Sequence, residues 1–151
     1  MQLNDLLKSV SVDPERTLVL RHSPQEPAFR RALPLLAGER LDLFEAYQSY
    51  QGEKVERSIS ARMGGWIAAF IGYGAGKAVF VGVYEIASSR SVTREEFWSL
   101  PAILALRDLG TPGWRAKDAR EMRLLFNLPR LPIHENLRGK LVVNWPPMER
   151  T

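Results

Sequence analysis

His22 and His134 are the only two histidines in the chain, so acid–base or metal chemistry near neutral pH would have to start from them. Neither falls in an HxxxH-type spacing. There is no cysteine, which excludes a thiolate nucleophile, a disulfide scaffold and thiolate metal sites. His22 follows Arg21 at the end of a short apolar run and reads as a polar strand-end residue; His134 lies shortly after Pro132 and reads as a loop or cap residue. Ser58, Ser60, Ser88, Ser89 and Ser91 sit in no GxSxG pattern. Asp42 and Glu45 share a helical face and read as solvated carboxylates. The stretch GYGAGK, 72–77, is one residue too short for a phosphate loop, and Ala78 stands where a hydroxyl residue would be needed. It reads as a hairpin turn. The expectation is a chain with no catalytic residues of its own, no cofactor and no metal.

Binding chemistry is better represented. Arg115, Lys117, Arg120, Arg123 and Arg130 crowd one segment beside Trp114, and Lys54, Arg57 and Arg62 precede Trp66. Cations interleaved with aromatics suit phosphate contacts and base stacking, and suit a solvated polar face equally well. Net charge +4 and a pI near 9.7 lean the same way, weakly. The run YQSYQ, 47–51, offers amides that can read base edges and rings that can stack, although Tyr47 and Tyr50 also have the spacing of a helix core.

These residues need elements to hold them. The length of 151 residues suits one domain with a sizeable core. Residues 2–9 read as a helix, Thr17–Arg21 as a strand, and the stretch after Pro27 as a helix weakened at Pro34 and ended by Gly38. Leu41, Phe44, Ala46, Tyr47 and Tyr50 form a helical stripe, and Lys54–Ala61 adds a further turn or two. Trp66–Gly72 and Ala78–Ile86 read as a hairpin. In its second strand, plain alternation puts Val79, Val81 and Val83 on one face and Phe80, Gly82, Tyr84 and Ile86 on the other. Both faces are largely apolar, as in a barrel or a sheet covered by helices. Thr93 and Glu96 have the spacing of a capping box, and Pro101 divides the helix it opens. Residues 120–127 read best as a strand, with a helix as the alternative, 128–132 as a connector and 139–145 as a strand. No signal peptide is visible, and glycines and Lys77 interrupt the longest apolar stretch, Trp66 to Val83. A cytoplasmic protein without membrane contact is expected.

Taken together, Arg21-His22, FEAYQSYQ (44–51), WIAAFIG, KAVFVGVYEI and GKLVVNWPPMERT resemble the N-terminal region of bacterial proteins that carry a C-terminal GIY-YIG nuclease domain. The resemblance spans nearly the whole chain. It implies a targeting domain from a longer, restriction-type endonuclease. The nuclease strands and their catalytic Arg and Glu are not in this sequence, so the cutting activity does not carry over. The strand arrangement is also similar to the PUA-like group of small barrels, which includes readers of modified bases.

The fold expected is therefore α+β: a small twisted or pseudo-barrel, PUA-like sheet of about five strands, near 17, 67, 79, 122 and 140, with packed helices. The function expected is recognition of duplex DNA. Lys54, Arg57, Arg62, Arg115, Lys117, Arg120 and Arg123 would hold phosphates. Arg21, His22, Tyr47, Gln48, Trp66, Tyr73 and Tyr84 would form a pocket for a flipped modified cytosine. The alternatives are a protein–protein adaptor with an exposed apolar patch, and a small hydrolase built on His22.

Overall fold

The structure is a computed structural model that describes residues 14–22, 38–72, 76–108 and 120–144. The helices expected at 2–9 and after Pro27 lie outside the described residues. A 3-10 turn, Pro14–Arg16, leads into β1 (Thr17–His22). Two helices follow, α1 (Leu41–Ser49) and α2 (Glu53–Ser60). Next come β2 (Trp66–Gly72), β3 (Lys77–Glu85) and β4 (Ser88–Thr93). A short helix α3 (Arg94–Phe97) precedes α4 (Pro101–Asp108). The described chain then runs through β5 (Met122–Asn127), β6 (Arg130–Leu131), a 3-10 turn (Glu135–Leu137) and β7 (Val142–Asn144).

The fold is α+β, with a mixed five-stranded sheet and a second, two-stranded sheet. β1 pairs with β2 in parallel, Thr17 opposite Trp66 through His22 opposite Ile71. A parallel pair needs a long crossover, and α1 and α2 lie within it. The approach of β2 to β1 is tight: a Cβ on Gly65 would sit 2.3 Å from the Arg16 carbonyl oxygen, so only glycine fits there. β2 and β3 form the expected antiparallel hairpin. The far edge of β3 is shared by β6, with Arg130 opposite Tyr84, and by β7, with Val143 opposite Ala78.

Three expectations change. The strand near 122 does not join the main sheet; β5 pairs with β4 in a separate antiparallel ribbon. β4 gave no sequence signal because SSRSVT is polar, with Val92 its only buried side chain. The two faces of β3 are not simple alternations either. Ala69 faces Gly82 but Phe70 faces Phe80, which leaves Val81 as a bulge. One extra residue in a strand of period two exchanges the faces beyond it. Val83 therefore packs with Ala78 and Phe80 in one core cluster, while Val81, Tyr84 and Ile86 join the other. Finally, the last strand is shorter than 139–145, because Gly139 adopts a left-handed φ of 74° and turns the chain onto β3.

Both faces of the sheet are covered, which explains why its hairpin is apolar on both sides. On one face Ile67, Ala69, Ile71 and Tyr84 meet Leu43 and Phe44 of α1 and Ile103 and Leu106 of α4. On the other, Phe70 and Phe80 meet Val143, Leu137 and Ile133. The α3 cap forms as the spacing predicts, with Thr93 Oγ1 accepting the Glu96 N–H at 3.0 Å. The Glu96 carboxylate, expected to reach back to the cap, instead accepts a hydrogen bond from Arg90 at 2.7 Å.

Candidate nucleic-acid interface

α2 has one inward and one outward side, and the basic residues use both. Lys54 and Arg57, three positions apart, are exposed on the helix. Arg57 faces Glu53 at 3.6 Å with both side chains open to solvent, a pair that contributes little. Arg62, just past the helix, is half-buried and donates to the Ser58 carbonyl at 3.0 Å. Glu56 points inward, with its side chain 13% exposed, and makes the long-range contacts. Its two carboxylate oxygens each accept from Arg120 Nη1 at 3.2 Å, and Oε2 accepts the Leu124 N–H at 3.4 Å. Arg120 also reaches the Gln51 carbonyl at 3.5 Å. Glu56 thus clamps the start of β5 to α2 and holds Arg120 on the inward side of the helix.

Arg123 does not belong with them. It is 2% exposed, and its guanidinium lies over the rings of Tyr50 and Phe97 at 5.2 and 5.1 Å. It sits opposite Val92, on the inward side of the ribbon. A cation held between aromatic faces inside the core is a packing element, and it cannot reach a phosphate from there. Arg115 and Lys117 lie outside the described residues.

Of the seven residues expected to line a base pocket, the six described do not converge on one cavity. Three of them do meet: His22 Nε2 and Gln48 Oε1 are 3.0 Å apart, and the His22 ring stands edge-on to Phe44 and Tyr47, with centroids 5.3 and 5.4 Å away. All three are buried, Gln48 completely. His22 and Gln48 form a polar pair buried between β1 and α1, with the Tyr47 ring against the imidazole, and the Gln48 Nε2 is buried with no hydrogen-bond partner among the described residues. Arg21 donates to the Lys77 carbonyl at 3.3 Å. Trp66 packs on one face of the sheet, with the Arg16 guanidinium over its ring at 5.8 Å, and Tyr84 is fully buried on the other face. Neither offers a ring to an entering base in this arrangement. Tyr73 lies outside the described residues. An aromatic-lined cavity does sit nearby, between Tyr47, Tyr50, Phe97 and Trp98, but its volume of about 10 Å³ admits at most one water.

The structure also builds a charged network that spacing alone did not reveal. Arg130 Nε donates to Glu45 Oε2 at 3.2 Å, and its Nη1 holds the Glu135 carboxylate. The Tyr84 hydroxyl is buried beside Glu45 without reaching hydrogen-bond geometry. Glu45 and Arg130 are far apart in sequence, and only the register that sets Arg130 opposite Tyr84 unites them. The network fastens β6 to α1.

Burial, and then the negative charge of Glu45, push the Tyr84 pKa well above the ordinary phenol value. Tyr84 thus favours folding while it is protonated in both states. That contribution is full below pH 10, the unfolded value, and is lost progressively as pH rises toward the folded value. Urea melts between pH 9 and 11.5 should show stability falling above about pH 10. Tyr84→Phe should remove that part of the fall while costing no more than about 1 kcal/mol at pH 7. An identical alkaline decline in the variant would refute the assignment.

Among the described residues, no group of three histidine, aspartate or glutamate side chains is placed to hold a metal ion, and no helix is long and apolar enough to cross a membrane. The chain matches no family model, no curated protein and no solved structure.

Proposed function

We propose that this chain is a DNA-recognition domain that binds duplex phosphates through α2 and its neighbours. The observation that carries the reading is the exposed pair Lys54 and Arg57 on α2, with Arg62 just past the end of the helix and Arg120 tied to Glu56 on its inward side. The exposed Arg57–Glu53 pair is weak enough for a phosphate to displace the carboxylate. In the restriction-type setting that the sequence resemblance implies, the domain would deliver a nuclease to its target, and a modified cytosine would be the mark it reads.

The adaptor reading needs an exposed apolar patch. Among the described residues the exposed large hydrophobics are Met63, Met122 and Val142, on three separate segments of the fold. That distribution favours the polyanion partner.

The test is fluorescence anisotropy of the whole chain with a short labelled duplex across a salt series. Log affinity should fall linearly with log salt, with a slope of about −0.9 per phosphate engaged, so roughly −2 to −3 for Lys54, Arg57 and Arg62. No measurable binding at low salt would overturn the proposal. Equal affinity for plain, 5-methyl and 5-hydroxymethyl cytosine duplexes would remove the modified-base part alone.

A further inference from the structure

The β4–β5 ribbon is the part of the fold that packing explains least. In a strand that serves only a core, apolar residues alternate inward. In β4, Ser88, Ser89, Arg90 and Ser91 are exposed in succession. Opposite Ser88, Asn127 is exposed as well. Neither strand of the ribbon contains an acidic residue.

We propose that this ribbon is the sequence-reading element of the domain and lies in the major groove of the duplex. The inference rests on the phosphate-binding role of α2. Three features support it. A two-stranded antiparallel ribbon has the width that the major groove admits. On one face Ser88, Arg90 and, opposite Ser88, Asn127 expose a hydroxyl, a guanidinium and an amide, groups that read donors and acceptors on base edges. They border an open groove of about 270 Å³ lined by Ser88, Ser89, Arg90, Leu125, Phe126 and Asn127. Leu125, half-buried opposite Arg90, gives it an apolar border of the kind that accepts a thymine methyl group.

Position supports the same assignment. β4 flanks β5 on one side, and Glu56 of α2 accepts the Leu124 N–H on the other. The ribbon is therefore docked against the helix assigned to the phosphates, as a reading element must be beside its anchoring contacts. Arg90 is held by Glu96 at 2.7 Å, with side chains 55% and 43% exposed. This is a surface pair that keeps the guanidinium extended in the free protein and yields readily to a guanine edge.

The experiment is selection from a randomised duplex pool by the whole chain, followed by anisotropy on selected and unselected duplexes. Wild type should enrich a motif. Ser88→Ala/Arg90→Ala should lower the preference for that motif about tenfold or more, while changing the salt slope by no more than about one. Arg90→Lys keeps the charge but loses the bidentate fork, and should lose the same motif position. Unchanged thermal melts would establish that both variants fold. If wild type enriches no motif, or if the variants enrich the same motif equally well, the ribbon is not the reader and duplex binding through α2 stands. If the chain binds no duplex at low salt, the phosphate reading fails first and this inference falls with it.

Discussion

Glu56→Ala is expected to lower the stability of the chain by about 2–3 kcal/mol, the scale of losing a partly buried, charge-assisted network. The substitution removes the acceptor for Arg120 and for the Leu124 N–H together. Arg120, one-quarter exposed, is left with a charge that water only partly solvates. The Leu124 amide loses its partner at the edge of β5. Glu56→Gln should cost less, because its side-chain oxygen can still accept the amide. Urea denaturation of wild type and both variants at pH 7 measures this. A change below about 0.5 kcal/mol in Glu56→Ala would mean that the clamp carries no load.

Lys54→Gln/Arg57→Gln should give the opposite signature. Both side chains are exposed, and Arg57 makes only a solvent-exposed pair with Glu53, so stability should stay within about 0.5 kcal/mol of wild type. Duplex affinity should fall about 50-fold at 0.1 M salt, with a salt slope smaller in magnitude by about two, as expected for two lost phosphate contacts. Affinity that holds steady while the slope is unchanged would remove α2 from the interface.

What could be read in the sequence was mostly local. The α1 stripe, the polar helix after it, the β2–β3 hairpin and the Thr93 cap are each encoded within about twenty residues or fewer, where periodicity and cap chemistry act. The collection of Lys54, Arg57 and Arg62 around one helix is legible for the same reason. What escaped depends on pairing. β4 carries almost no hydrophobic signal and is a strand because β5 runs beside it. The Val81 bulge exchanges the faces of β3 and cannot be read from alternation, which assumes that nothing is inserted. Arg123 looked like one more surface cation in a basic segment. It is inward because its strand register places it against Val92, and because Tyr50 and Phe97 supply faces for its charge. The Tyr84–Glu45–Arg130 network likewise joins three distant segments that only the sheet brings together.

His22, Tyr47 and Gln48 fall between these cases. Their polarity and their position at the end of a strand and along a helix suggested contact with a ligand. They do meet, but in a closed pair inside the core. The 3.0 Å contact between the buried Gln48 amide oxygen and the His22 imidazole ties α1 to β1. The sequence cannot distinguish that role from recognition, because the same residue types serve both.

On the proposal made above, α2 and the β4–β5 ribbon form one continuous surface for duplex DNA. The most direct measurement is an amide chemical-shift map of the ¹⁵N-labelled chain titrated with a short duplex at low salt. The largest shifts should fall on Lys54, Arg57 and Ser88–Ser91, with the His22–Gln48 pair in the core unmoved. No shifts at low salt, or shifts confined to the Glu45–Arg130–Glu135 side of the sheet, would contradict it.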